Sequence, residues 1–160
     1  MRKAAHAAVA ALLVVLSPSI ASAKARTVGI DIAGPSLRSP VEIKDPRVVS
    51  EFSIWTGPGV TGNGQPADSQ DGMFIDWRKG AAPERPAGLS EFTVTFHLDV
   101  PRGSRGKYTV VYAFNPASPG GYIFLPRSSA NTSLIVHGIE GNWFHSSDAW
   151  EKLIRPAVAK

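Results

Sequence analysis

No cysteine occurs in this chain of 160 residues. Its absence excludes a disulfide framework, thiolate catalysis, thiolate zinc sites and a lipid-modified cysteine at a processing point, so stability has to come from packing. Charge is sparse too, at 19% of residues. The basic side chains are scattered, with Arg78-Lys79 and the Arg102, Arg105, Lys107 turn as loose groupings, and they leave no footprint for nucleic acid. The apolar run at residues 4–16 falls short of the about 20 residues a membrane-spanning helix needs. Catalytic and metal signatures are also missing: there is no Gly-x-Ser-x-Gly elbow and no His-Glu-x-x-His, and the glycines of residues 57–64 lack the Lys-Ser or Lys-Thr of a phosphate loop. The sequence therefore assigns no catalytic residue, no metal and no cofactor.

What is present begins with an export address. Arg2 and Lys3 precede the apolar run, and Ala21-Ser22-Ala23 supplies a small-x-small cleavage site, so residues 1–23 read as a signal peptide removed before Lys24. Residues 24–160 then form one β-rich globular domain of 137 residues, long enough to bury a single core. Loss of Arg2 and Lys3 lowers the formal charge from +4 to +2. The mature chain is expected to be secreted, to a periplasm or outside the cell, without a transmembrane segment. Its Ala, Gly, Pro, Arg and Val content suggests a GC-rich bacterial source.

Alternation marks the strands. Val28, Ile30 and Ile32 alternate with Gly29 and Asp31, and a second short strand is expected over residues 41–43. Asp45-Pro46 predicts a helix start, with Val48, Val49 and Phe52 on one side. Residues 57–72 are rich in Gly, Pro, Asn, Asp, Ser and Gln and read as a flexible surface loop. An extended pattern resumes at residues 73–77. Phe92, Val94, Phe96 and Leu98, then Tyr108, Val110, Tyr112 and Phe114, predict an antiparallel hairpin with one aromatic-rich face. Residues 122–125 and 134–139 read as further strands. Asp148 three residues before Glu151 suggests a capped C-terminal helix that presents Trp150, Leu153 and Ile154 and ends near Arg155, before Pro156.

Few polar residues form a suggestive pattern. His97 and Asp99 share the polar face of one strand, and Asp76, Glu140, Asp71 and Asp99 are the carboxylates available for acid-base work. Ser146, Ser147 and Asp148 beside His145 fit a helix start better than a triad. Trp77 and Trp143, flanked by polar or Gly-rich sequence, are candidates for rings that stack on sugars or on a partner's side chains. Together with His145 they form the expected ligand-binding set.

The strings Gly72-Met73-Phe74-Ile75-Asp76-Trp77, Gly121-Tyr122-Ile123-Phe124-Leu125-Pro126 and Gly141-Asn142-Trp143-Phe144, followed by Trp150, resemble those of small uncharacterised secreted bacterial proteins. The resemblance covers most of residues 24–160 and implies no activity, cofactor or catalytic residue.

The expected class is mainly β, a β-rich α+β fold. It would be a single antiparallel sandwich or partly open barrel with a short internal helix and a C-terminal helix. The expected role is non-catalytic binding of a partner or ligand at the cell envelope or outside the cell. A hydrolase of envelope polymers and a structural envelope component are the alternatives.

Overall fold

Phe92, Val94, Phe96 and Leu98 are buried while the residues between them are not, and this period of two fixes which side of the sheet carries the core. The computed structural model describes residues 26–52, 74–100, 104–127 and 139–159. The expected signal at residues 1–23, the loop at 57–72 and most of the strand at 134–139 lie outside them.

The elements run β1 (Arg26–Ala33), β2 (Val41–Ile43), α1 (Pro46–Val49), β3 (Ala81–Ala82), β4 (Ser90–Val100), β5 (Ser104–Phe114), β6 (Gly121–Phe124), β7 (Trp143–His145) and α2 (Asp148–Val158). Among the described residues all the strands pair antiparallel in one seven-stranded sheet of order β2-β1-β4-β5-β6-β7-β3 that does not close. This is the β-rich α+β class expected from the sequence, in open form. The hairpin of β4 and β5 is its spine, in register from Ser90 opposite Phe114 to Val100 opposite Ser104.

One face of the sheet is covered. Ile30, Ile32, Phe96, Tyr108, Tyr112 and Ile123 point to it, and α2 supplies Trp150, Ile154 and Val158. Trp150 is fully buried at the centre, with the rings of Phe52, Phe74, Phe96 and Tyr112 at 5.4 to 6.1 Å between centroids. Burial of this much aromatic surface, at about 25 cal/mol per Å² of apolar area, substitutes for the missing disulfides. Strands β2 and β3 lie at opposite edges of the sheet, and Phe52 and Phe74, in the chain between them, are both buried in the core.

The helix ends follow local chemistry. Asp45 caps α1 by accepting from the Arg47 amide at 3.0 Å, with Pro46 in the first turn where no donor is lost. In α2 the cap is Ser147 rather than Asp148. Ser147 holds extended backbone angles and accepts from the Trp150 amide at 3.1 Å, whereas Asp148 is already helical. The helix also continues through Pro156 to Val158. A proline this close to the end removes a single bond, and the buried Val158 together with the bond from the Ala159 amide to the Arg155 carbonyl holds the last turn.

Candidate functional site

The face of the sheet turned away from α2 carries the candidate residues. Tyr122 and Phe124 alternate with the buried Ile123 and Leu125, so they project to this outer face. Pairing of β6 with β7 sets Tyr122 opposite His145 and Phe124 opposite Trp143. Both pairs are in ring contact, with centroids 5.0 Å apart for Tyr122 and His145 and 5.1 Å for Phe124 and Trp143. All four rings are half-buried. Cross-strand aromatic pairs of this kind stabilise a sheet on either face, but here they also leave ring surface accessible.

Polar groups border the rings. The Arg85 guanidinium sits 6.0 Å from the centre of the Trp143 ring and is ion-paired with Glu91. Arg85, Glu91, Thr93 and Val111 line a cleft of about 590 Å³, and Val111 stands directly opposite Phe124 in the register. The aromatic pairs and the cleft therefore form a continuous surface across β4 to β7.

Of the expected trio, Trp143 and His145 share this surface. Trp77 lies on the other side of β7: its ring meets the buried Phe144 edge-on, 5.0 Å between centroids, and packs against the core. Alternation explains the split, since Phe144 must face opposite to its neighbours on a strand. No motif in the sequence singles out Tyr122, Phe124 or Arg85 as a site residue. The signal for the two rings was available in the alternation of residues 122–125.

The remaining candidates are mostly structural. Asp76 is buried and accepts from the Arg78 amide at 3.2 Å, capping a 3-10 turn at Trp77–Lys79. Burial pushes its carboxyl up, but hydrogen bonds and charge from Arg78 and Lys79 outweigh this and hold it below the usual carboxylate range. The Ser146 hydroxyl accepts from the Gly121 amide at 3.0 Å and bonds Glu151, while Ser147 caps α2. His97 pairs with Asp31 on β1, Nε2 to Oδ2 2.6 Å, and not with its strand neighbour Asp99. Asp71 lies outside the described residues. Among those described, no group of three or more His, Cys, Asp or Glu side chains is placed to hold a metal ion, and no helix is long and apolar enough to cross a membrane.

No protein-family model matches the chain, and comparison with curated proteins and with solved structures finds no match.

Proposed function

We propose that this is an exported, non-catalytic binding protein whose ligand is a saccharide of the cell envelope, held on the outer sheet face by Tyr122, Phe124, Trp143 and His145. The observation that carries this reading is the double cross-strand aromatic pair, which offers ring faces on a solvent-side surface. Sugar rings present flat C–H faces that stack on such rings, while their hydroxyls need charged and hydroxyl-bearing partners at the margin. Arg85, Glu91 and Thr93 supply these in the adjoining cleft. Export rests on Arg2, Lys3, the apolar run and Ala21-Ser22-Ala23.

Two measurements test the proposal. Titration with the N-acetylglucosamine tetramer and with soluble muropeptides should quench tryptophan fluorescence saturably and release heat in a calorimeter, and Trp143→Ala with Tyr122→Ala should abolish the heat of binding while circular dichroism stays unchanged. Binding that survives both substitutions would remove the site. The protein recovered outside producing cells should begin at Lys24 by mass; a retained segment 1–23 would overturn the export reading.

A further inference from the structure

A second cleft, of about 570 Å³, opens on the outer face over β1, β4 and β5, away from the aromatic pairs. Its floor is the His97–Asp31 pair. The register puts Gly29 directly opposite His97 and Asp31 opposite Thr95, so the imidazole reaches its carboxylate diagonally across two strands. A Cβ on Gly29 would lie 3.6 Å from Cδ2 of His97, so the Nε2–Cδ2 edge of the ring faces β1. Nδ1, the opposite vertex of the five-membered ring, is turned away from β1, and on β5 Lys107 stands opposite His97.

The charges around this floor do not balance. Asp31 is engaged by His97, and Glu42 by Lys44. Arg105 and Lys107 line the same cleft, are exposed, and have no ion-pair partner among the described residues, although Asp99 stands opposite Arg105 in the register. The cleft also has an apolar wall. Val28, 41% exposed, is the one large hydrophobic side chain among the described residues that is exposed, and it is the extra residue of a bulge between Thr27 and Gly29. Two cations without an ion-pair partner, a carboxylate-oriented imidazole and an apolar side chain converge on one concavity, whose lining sets Lys44, Arg105 and Lys107 against Asp31 and Glu42.

We propose that this cleft binds an organic anion, a phosphate or carboxylate carried on a short apolar stem. Arg105 and Lys107 contact its charge, the His97 ring flanks its head, and Val28 is covered by its stem. Asp31 acts as a positioning residue, since it orients the His97 ring through Nε2. The site uses no residue of the aromatic surface and stands without it.

The test is an amide NMR titration of the full chain with butyl phosphate and with inorganic phosphate. Saturable shifts are expected at Gly29, His97 and Gly106, with butyl phosphate bound several-fold more tightly because it buries apolar area on Val28. Arg105→Ala with Lys107→Ala should weaken both ligands by about tenfold or more, each lost contact to a charge being worth a large share of such an affinity. Val28→Ser should weaken butyl phosphate alone. Cosedimentation with phosphatidylglycerol vesicles that disappears in the double variant supports a lipid headgroup as the source of the anion, and indifference to vesicles with butyl phosphate still bound supports a soluble one. Unchanged affinity in the double variant, shifts confined to other residues, or no saturation by either phosphate would overturn the proposal. Trp143→Ala should leave these titrations intact, which separates failure here from failure of the saccharide site.

Discussion

The Tyr112 hydroxyl on β5 stands 3.0 Å from each carboxylate oxygen of Glu151 on α2, and so ties the C-terminal helix to the spine of the sheet. Glu151 also receives Arg155 from one turn on, Nε at 2.8 Å, while Arg155 donates through Nη1 to the Ser118 carbonyl at 2.7 Å. The carboxylate is thus a nearly buried hub whose partners are hydroxyl and guanidinium.

Removing that hub leaves Arg155 partly buried without its counter-charge. Glu151→Ala is expected to cost about 3 kcal/mol or more, and Tyr112→Phe about 1–2 kcal/mol for one hydrogen bond to a charged group. Urea unfolding of the two single variants and the double variant measures this. Strict additivity would show that the contact carries no coupling energy.

Close approach at the start of β6 gives a second expectation. A Cβ on Gly121 would come within 2.7 Å of both Glu151 Oε1 and Tyr112 Cε2, and 3.0 Å of the Ala113 carbonyl oxygen, whereas one on Gly120 meets nothing within 4 Å. Gly121→Ala should therefore destabilise by about 1–3 kcal/mol through overpacking while Gly120→Ala stays near neutral. Equal thermal midpoints for the two variants would contradict the packing described.

Tyr108 and Tyr112 make the fold sensitive to alkali. Burial raises both phenols above their ordinary value, and the nearby carboxylates Glu140 and Glu151 add to the effect. A phenol raised in the folded state holds its proton longer than in the unfolded chain, so its stabilisation is complete below about pH 10 and is lost as pH rises further. Two such groups give a loss approaching about 2.7 kcal/mol per pH unit. Tyrosinate absorbance at 295 nm for these two residues and far-ultraviolet circular dichroism should change together. Ionisation of both near pH 10 with the sheet intact would count against their burial.

Asp76 acts at the acid end. Its carboxyl is held low in the folded state, so its contribution is present above the ordinary aspartate range and disappears as pH falls through the folded value. Asp76→Asn keeps a capping oxygen but loses the charge. The cost at neutral pH should be modest, about 1 kcal/mol, because Arg78 and Lys79 are largely exposed, and the variant should lose less stability than the parent between pH 5 and pH 2. Parallel acid-unfolding curves would refute the role of the ion pairs.

Strong period-two runs made the spine legible. Residues 90–98 and 108–114 dictated the hairpin, its buried face and its aromatic content, and Asp45-Pro46 marked α1. The edges were not legible in the same way. Ala81–Ala82 has no strand propensity of its own and is extended only because Ala81 pairs with Phe144 and Ala82 with Trp143. Three residues of β7 are too few to show a period. Site prediction met the same limit. Spacing of two places His97 and Asp99 on one face of β4, but the hydrogen-bond partner of His97 is Asp31, set by the adjacency of β1 and β4, which no local pattern encodes. Trp77 and Trp143 looked alike in sequence and were separated by the strand between them, whose middle residue, Phe144, faces the core.

Edge strands of three and two residues, β2 and β3, have a consequence for association. Adding a foreign strand depends on a run of open amides and carbonyls, and among the described residues each end of the sheet offers only a few. Where β1 runs past β2, the bulge at Val28 interrupts the ladder, α1 lies alongside, and the Thr27 hydroxyl bonds the Phe52 carbonyl at 2.9 Å. Growth of the sheet from copy to copy therefore stalls at both ends. Concentrated solutions should remain free of thioflavin-positive fibres seeded at these two edges, whose ribbon is too short there to be lengthened.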